Sequence, residues 1–326
     1  MIFFVNVGPK LAKEIAPPQT GGGQNLQDRI LDTMYLRKTD KNEIIDIVHT
    51  FENKISTDWN GIDMAIIKTV IDAIADPLTH ICNLSLSTGY FPSQMKTAKV
   101  IPIHKAGDKN LFTNYRPVSL LSQFSKILEK LFSARLDSFI DKHQILSECQ
   151  YGFRTNRSTS MALIDLIEEL TSSVENKKFA LGVFIDLKKA FDTIDHEILI
   201  QKMNNYGIRG VALNWIKSYI ENRKQFVQIG EYRSTSSTIT CGVPQGSILG
   251  PKLFILYINE ICKVSSLLKF VVFADDTNIT CSGEDLQQLL EVVSLELGKL
   301  KQWFDANKLS LNIKKTKFMI FGNKKN

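Results

Sequence analysis

The spacing of apolar positions changes character near residue 99. Between Thr39 and Ser87 the apolar residues recur three and four apart, as in Ile44, Ile45, Ile47, Val48 and Phe51 and then Ile66, Ile67, Val70, Ile71 and Ile74. That period matches helices with one buried face. It predicts two helical runs ahead of Pro77 and a further run from Pro77 to Ser87, closed by Gly89 as a C-terminal glycine. Beyond this point short β-rich runs take over: Lys99 to Ile103, Leu181 to Asp186, Gln225 to Ile229, Ser237 to Cys241, Leu268 to Phe273, Asn278 to Cys281 and Phe318 to Phe321. Amphipathic helices are predicted between them over 197–206, 211–221, 252–262 and 284–307, the last with a capping box formed by Ser282 and Asp285. Hairpins are frequent and strands do not alternate strictly with helices, so the fold class is α+β.

Length and composition narrow the class. A chain of 326 residues predicts about two domains. With 44% hydrophobic and 23% charged residues, and no apolar run near the ~18 residues needed to span a bilayer, no membrane segment is expected. The apolar start, Met1 to Val5, is too short for a signal-peptide core. Pro17-Pro18 followed by Gly21-Gly22-Gly23 reads as a flexible linker, and residues before about Gln24 are expected to pack poorly. Five cysteines without a C-x-x-C pair argue against a disulfide framework and a zinc ribbon. An intracellular protein, cytoplasmic or nuclear and not secreted, is expected.

The net charge of +6 is unevenly placed. Lys308, Lys314, Lys315, Lys317, Lys324 and Lys325 stand in a C-terminal stretch without an acid, and residues 93–160 carry eleven Lys or Arg against five Asp or Glu. Two basic blocks point to a polyanion partner, or else to solvated faces.

The chemistry lies in acids at strand ends. Leu181 to Ile185 is an apolar run ending in Asp186, and Leu268 to Phe273 runs into Ala274-Asp275-Asp276 before the chain turns back. Paired acids at a hairpin tip either cap the turn or await a cation, because adjacent carboxylates resist joint ionisation. Oxygen ligands without a nearby histidine or cysteine point to Mg²⁺ or Mn²⁺. Three carboxylates on two adjacent strands suit a two-metal site that activates a hydroxyl and steadies a leaving pyrophosphate. Gly242 to Pro251 packs three glycines and two prolines around Gln245, which reads as a structural turn or as a loop that lets backbone approach a ligand.

Five ordered motifs then carry a resemblance: Asn114-Tyr115-Arg116-Pro117-Val118-Ser119-Leu120-Leu121, Gln150-Tyr151-Gly152-Phe153-Arg154, Asp186-Leu187-Lys188-Lys189-Ala190-Phe191-Asp192, Gly242 to Pro251, and Phe273-Ala274-Asp275-Asp276. Together they resemble the reverse transcriptase domain of non-LTR (LINE-type, jockey-like) retrotransposons over nearly the whole chain. The resemblance implies an RNA-directed DNA polymerase that transfers dNTPs to a primer 3′-hydroxyl on an RNA template, with Mg²⁺ or Mn²⁺. It implies a right-hand polymerase, with an N-terminal extension over 1–38, a helical region over 39–95, fingers over 96–180 and palm over 181–326.

Residue by residue, the resemblance makes Asp186, Asp275 and Asp276 the metal-binding catalytic acids. It makes Phe191 the steric gate beneath the sugar, with an ordinary core phenylalanine as the alternative. Gln245 falls beside the nucleotide. Lys105 and Arg116 become the triphosphate-holding cations, with Lys99 and Lys109 as rivals to Lys105. Lys315, or Lys314 beside it, aligns with the lysine that protonates the departing pyrophosphate. Tyr151, Phe153, Arg154 and Arg157 suit template contact, the aromatics having a buried structural role as the alternative. Asp192 and Asp195 read as helix-cap partners, and no histidine has ligand spacing.

Elements of this kind carry an endonuclease ahead of the polymerase and a primer grip and thumb beyond Phe321. Neither has a counterpart here, so both ends are expected to be cut and no complete thumb is expected. The competing reading is a catalytically inactive nucleic-acid-binding remnant. An RNA-dependent RNA polymerase, which must accept a 2′-hydroxyl, is disfavoured by Phe191.

Overall fold

Ile67, Ile71, Ala75, Leu78, Cys82 and Leu86 form one continuous buried stripe, and it runs straight through Pro77. In the computed structural model, which describes residues 1–15, 29–53 and 56–322, the two predicted segments around this proline are one helix. Proline removes a single backbone donor. Burial of the stripe on both sides outweighs that loss, and the break expected at Pro77 is absent. The Pro17 to Gly23 linker and the lysines Lys324 and Lys325 lie outside the described residues.

In chain order the elements are α1 Ile2–Glu14, α2 Lys41–Thr50, α3 Met64–Thr88, β1 Thr97–His104, β2 Tyr115–Leu121, α4 Gln123–Lys142, α5 Thr159–Glu175, β3 Phe179–Ile185, α6 His196–Asn205 and α7 Val211–Ile220. There follow β4 Lys224–Ile229, β5 Tyr232–Arg233, β6 Ser237–Thr238, α8 Leu249–Ile258, β7 Lys269–Phe273, β8 Asp276–Gly283, α9 Leu286–Ala306 and β9 Lys317–Phe321. This is a mixed helix and sheet fold, as the pattern predicts. The chain divides into two compact units.

The first unit comprises Met1–Pro9, Arg29–Ile145 and His196–Leu253. Its sheet has the order β2-β1-β4-β5, with β6 also on β4. β1 and β2 are antiparallel from Ala98↔Leu121 to His104↔Tyr115, whereas β1 and β4 are parallel only from Thr97↔Lys224 to Val100↔Val227. Pro117 hides β2 from the sequence pattern, yet it sits on an edge strand, where a missing donor leaves no rung empty. The helical core is built on Trp215, which stacks on Phe132 at 4.0 Å and on Tyr219 at 5.6 Å. Buried Arg135 reaches Glu43 with both terminal nitrogens, at 2.7 and 2.8 Å. The apolar N-terminus, expected to pack poorly, is helical, and Phe3 lies against Phe112 at 5.8 Å.

The second unit comprises Lys10–Asp28, Leu146–Asp195 and Phe254–Asn326. Its four-stranded sheet, β7-β8-β3-β9, is antiparallel throughout. β3 is central and buried, with α5 and α9 packed against the sheet. Asp285, not Ser282, caps α9, its side chain accepting from Gln288 N at 2.8 Å. Ser282 remains in β8 because the ladder to β3 runs through Ala180↔Ser282 to Phe179↔Gly283. Cys149 and Cys262 are joined by a disulfide, contrary to the sequence expectation. The two lie 113 residues apart, a pairing that spacing rules do not detect.

Candidate active site

The central strand β3 delivers Asp186 to the end of the sheet. Its rung Ile185↔Thr277 with β8 sets Asp186, the residue that follows β3, beside Asp276, the first residue of β8. On the other side of the hairpin the last rung is Phe273↔Asp276, leaving Ala274 and Asp275 as the turn. Ala274 adopts φ +56°, a left-handed conformation that is uncommon for a residue with a Cβ. Register thus sets Asp186 beside Asp276, with Asp275 in the adjoining turn.

Asp186 is held from the segment that precedes β9. Asn312 donates from its side chain to Asp186 Oδ2 at 2.6 Å and from its backbone to the Asp186 carbonyl at 2.8 Å. Lys315 Nζ lies 3.7 Å from the same Oδ2. A cavity of about 630 Å³ opens here, and Asp186, Asp276, Lys314, Lys315, Phe184 and Phe273 are among its lining residues. Desolvation at the turn, followed by the charges of Asp275 and Asp186, raises the Asp276 carboxyl above the usual range, and Lys315 works in the opposite sense. The acids therefore feel one another's charge, as a cation-binding group should.

Among the described residues no three His, Cys, Asp or Glu side chains form a ready-made metal cage. Mg²⁺ is usually held by one or two carboxylates together with substrate phosphates. An oxygen-only set around Asp186 and Asp276, with crowded negative charge, fits that chemistry.

Phe191 lies in a short 3₁₀ turn, Ala190–Asp192, entered through Lys189 at φ +51°. Its ring stacks on Phe254 at 4.7 Å and meets Phe153 edge-on at 6.4 Å. Phe153 is 49% exposed, whereas Tyr151 is 4% exposed and belongs to a core cluster with Ala162, Leu166 and Val271. The Tyr151 hydroxyl donates to Asp165, so its position fits the structural alternative. Arg154 donates to the Ser147 carbonyl at 2.7 Å, and Arg157 pairs with Glu148 while lying over the Tyr151 ring. Both arginines brace their own segment.

Lys105, Arg116 and Gln245 belong to the first unit. Arg116 stands opposite Ile103 in the β1–β2 ladder, and Lys105 follows β1, its backbone donating to the Asn114 carbonyl at 2.9 Å. Both side chains are exposed. Rival Lys99 donates to the Asp58 carbonyl at 3.3 Å. The Gln245 carbonyl accepts from Ser119 N at 2.8 Å, and Gly246, at φ +113°, leaves no space for a Cβ, which would meet Ser119 O at 2.7 Å. The loop is also held from α4, where buried Glu129 accepts from Ile248 N at 2.8 Å and Leu249 N at 3.3 Å.

Sequence reasoning missed three residues that hold this machinery: Glu129, Gln150 and Asn312. Gln150 stands inside a quoted motif, and Asn312 is three residues before Lys315. Neither residue type announces a supporting role without the fold.

The family described as reverse transcriptase (RNA-dependent DNA polymerase) matches residues 103–325. The chain belongs to the reverse transcriptase family. It is 30% identical over 271 residues to the RNA-directed DNA polymerase from mobile element jockey of Drosophila melanogaster, covering 81% of this chain and 30% of that protein. It is likewise 30% identical over 292 residues to the probable RNA-directed DNA polymerase from transposon BS of the same fly, with coverage of 84% and 31%. The probable RNA-directed DNA polymerase from transposon X-element matches at 28% identity, with coverage of 75% and 27%. This reverse transcriptase domain is of the non-LTR retrotransposon type that its motifs imply. It spans under a third of the length of these curated relatives. Among the described residues no helix is long and apolar enough to cross a membrane.

Proposed function

We propose that the chain carries out RNA-directed DNA synthesis, joining dNTPs to a primer 3′-hydroxyl on an RNA template, with Asp186, Asp275 and Asp276 as its catalytic acids. One observation carries this reading: the strand register sets Asp186 beside Asp276, with Asp275 in the adjoining turn and Lys315 Nζ 3.7 Å from Asp186 Oδ2. Such crowding is costly unless cations relieve it. On this reading the sheet of β3 and β7–β9 is the palm, and the β1–β2 hairpin belongs to the fingers.

In the reaction the primer 3′-hydroxyl gives up its proton to water, its oxygen attacks the α-phosphorus of the dNTP, and the bond to the bridging α–β oxygen breaks to release pyrophosphate. Divalent ions bound at the acids supply charge neutralisation and a more acidic primer hydroxyl. Asp186 and Asp276 hold them, with Asp275 at the turn. Lys315 Nζ gives its proton to the leaving pyrophosphate oxygen. Arg116 and Lys105 hold the triphosphate, where a guanidinium fork matches phosphate oxygens, and Lys99 is less suited because its ammonium serves Asp58. Gln245 orients the nucleotide. Phe191 closes the space that a 2′-hydroxyl would need, its ring backed by Phe254. Phe153 offers an exposed ring for template stacking, and Arg154 and Arg157 add positive charge beside it. Retention of all three acids and Phe191 argues against an inactive remnant.

The test is primer extension on an RNA template with dNTPs and Mg²⁺, comparing the wild type with Asp186→Asn. A loss of two to three orders of magnitude in the variant is expected. Extension by Asp186→Asn at the wild-type rate would rule the site out.

A further inference from the structure

Gln150 carries the inference, which rests on the proposed catalytic role of the acids. The segment around it is docked on the strand that leads to the turn. Val272 N donates to the Cys149 carbonyl at 2.8 Å and Tyr151 N to the Val272 carbonyl at 2.7 Å, making Gln150↔Val272 a parallel bridge. The Gln150 side chain then reaches past Phe273. Its buried Oε1 accepts from Gly152 N at 2.7 Å and from Ala274 N at 3.2 Å.

Both donors matter. Ala274 is the left-handed residue immediately before Asp275, a conformation that persists only where the surroundings hold it. A bond to its N–H does so from outside the hairpin. Gly152 permits the approach, since a Cβ there would lie 2.3 Å from Ala274 N. A neutral amide suits the position chemically, because it supplies an acceptor oxygen without adding negative charge beside two acids that already repel each other.

We propose that Gln150 is a positioning residue that clamps the Ala274–Asp275 turn and thereby holds Asp275 and Asp276 ready for divalent cations. Gln150→Met removes the acceptor at nearly constant shape, and Gln150→Glu restores one. Gly152→Ala crowds the same contact, its Cβ meeting Ala274 N and Gln150 Oε1, and serves if the methionine variant does not fold. Three measurements separate positioning from mere folding: amide hydrogen exchange at Ala274, Mn²⁺ affinity of the nucleotide-free chain, and the split between kcat and KM for dNTP.

Gln150→Met should lower Ala274 protection about 10-fold, weaken Mn²⁺ binding on the order of 10-fold and reduce kcat more than it raises KM. Gln150→Glu should return the Ala274 protection. Unchanged protection in Gln150→Met overturns the clamp. Lost protection with unchanged Mn²⁺ affinity and kcat overturns its purpose. Wild-type chain that binds no Mn²⁺ and extends no primer defeats the proposed function and the clamp's purpose with it, while Ala274 exchange still decides whether the clamp exists.

Discussion

Asn312 holds Asp186 twice, by its side chain at 2.6 Å and by its backbone at 2.8 Å, across 126 residues of sequence. The side-chain bond goes to Oδ2, the oxygen that also faces Lys315. Asn312 therefore fixes the direction in which the carboxylate points, leaving Lys315 to supply charge. Asn312→Leu, similar in shape but without a donor, should lower kcat on the order of 10-fold and raise the Mg²⁺ concentration needed for half-maximal extension. Titration of extension rate against Mg²⁺ reads both effects, and an unchanged midpoint would count against the orienting role.

The raised carboxyl of Asp276 has a defined pH signature. A carboxyl whose folded pKa lies above its unfolded value contributes stability that is present below the ordinary carboxylate range and lost as pH rises through the folded pKa. In EDTA, Asp276→Asn should therefore melt higher than wild type at neutral pH, with the difference shrinking toward acid. Millimolar Mg²⁺ should shrink it too, by binding the folded wild type. Melting curves across pH, with and without Mg²⁺, check the sign.

Sugar choice is predicted to rest on a ring with rigid backing. Phe191 stacks on Phe254, so Phe191→Ala removes bulk and a stacked pair together. The rNTP/dNTP ratio of kcat/KM should rise on the order of 10-fold, and stability should fall by about 1 kcal/mol. A drop in stability with no change in that ratio would make Phe191 an ordinary core residue.

Glu129 offers a test of the glycine-rich loop that leaves the acids untouched. Its carboxylate accepts two backbone N–H groups at the start of α8 and the Ser125 hydroxyl at 2.8 Å. Glu129→Ala leaves those buried donors without an acceptor and should cost about 2–3 kcal/mol in urea unfolding. Glu129→Gln keeps an acceptor oxygen and should cost less. Equal costs would mean that volume, not hydrogen bonding, holds the loop.

What the sequence determined by itself is local and repetitive. Period-3.6 runs placed α2, α6 and α7, apolar runs placed β3 and β7, and five motifs placed the acids and the family, because these signals are written in neighbouring residues. The tertiary structure decided what depends on partners far along the chain. Pro77 stays helical because a buried stripe continues on both sides of it, and Pro117 is admitted to a strand because that strand is an edge. Ser282 gives way to Asp285 as helix cap because a ladder claims it. Cys149 finds Cys262, Asn312 finds Asp186 and Gln150 finds Ala274 across 113, 126 and 124 residues. Hydrogen bonds are short-ranged and directional, so the worth of a polar side chain is set by whichever backbone the fold brings within about 3 Å of it, and sequence spacing carries no record of that.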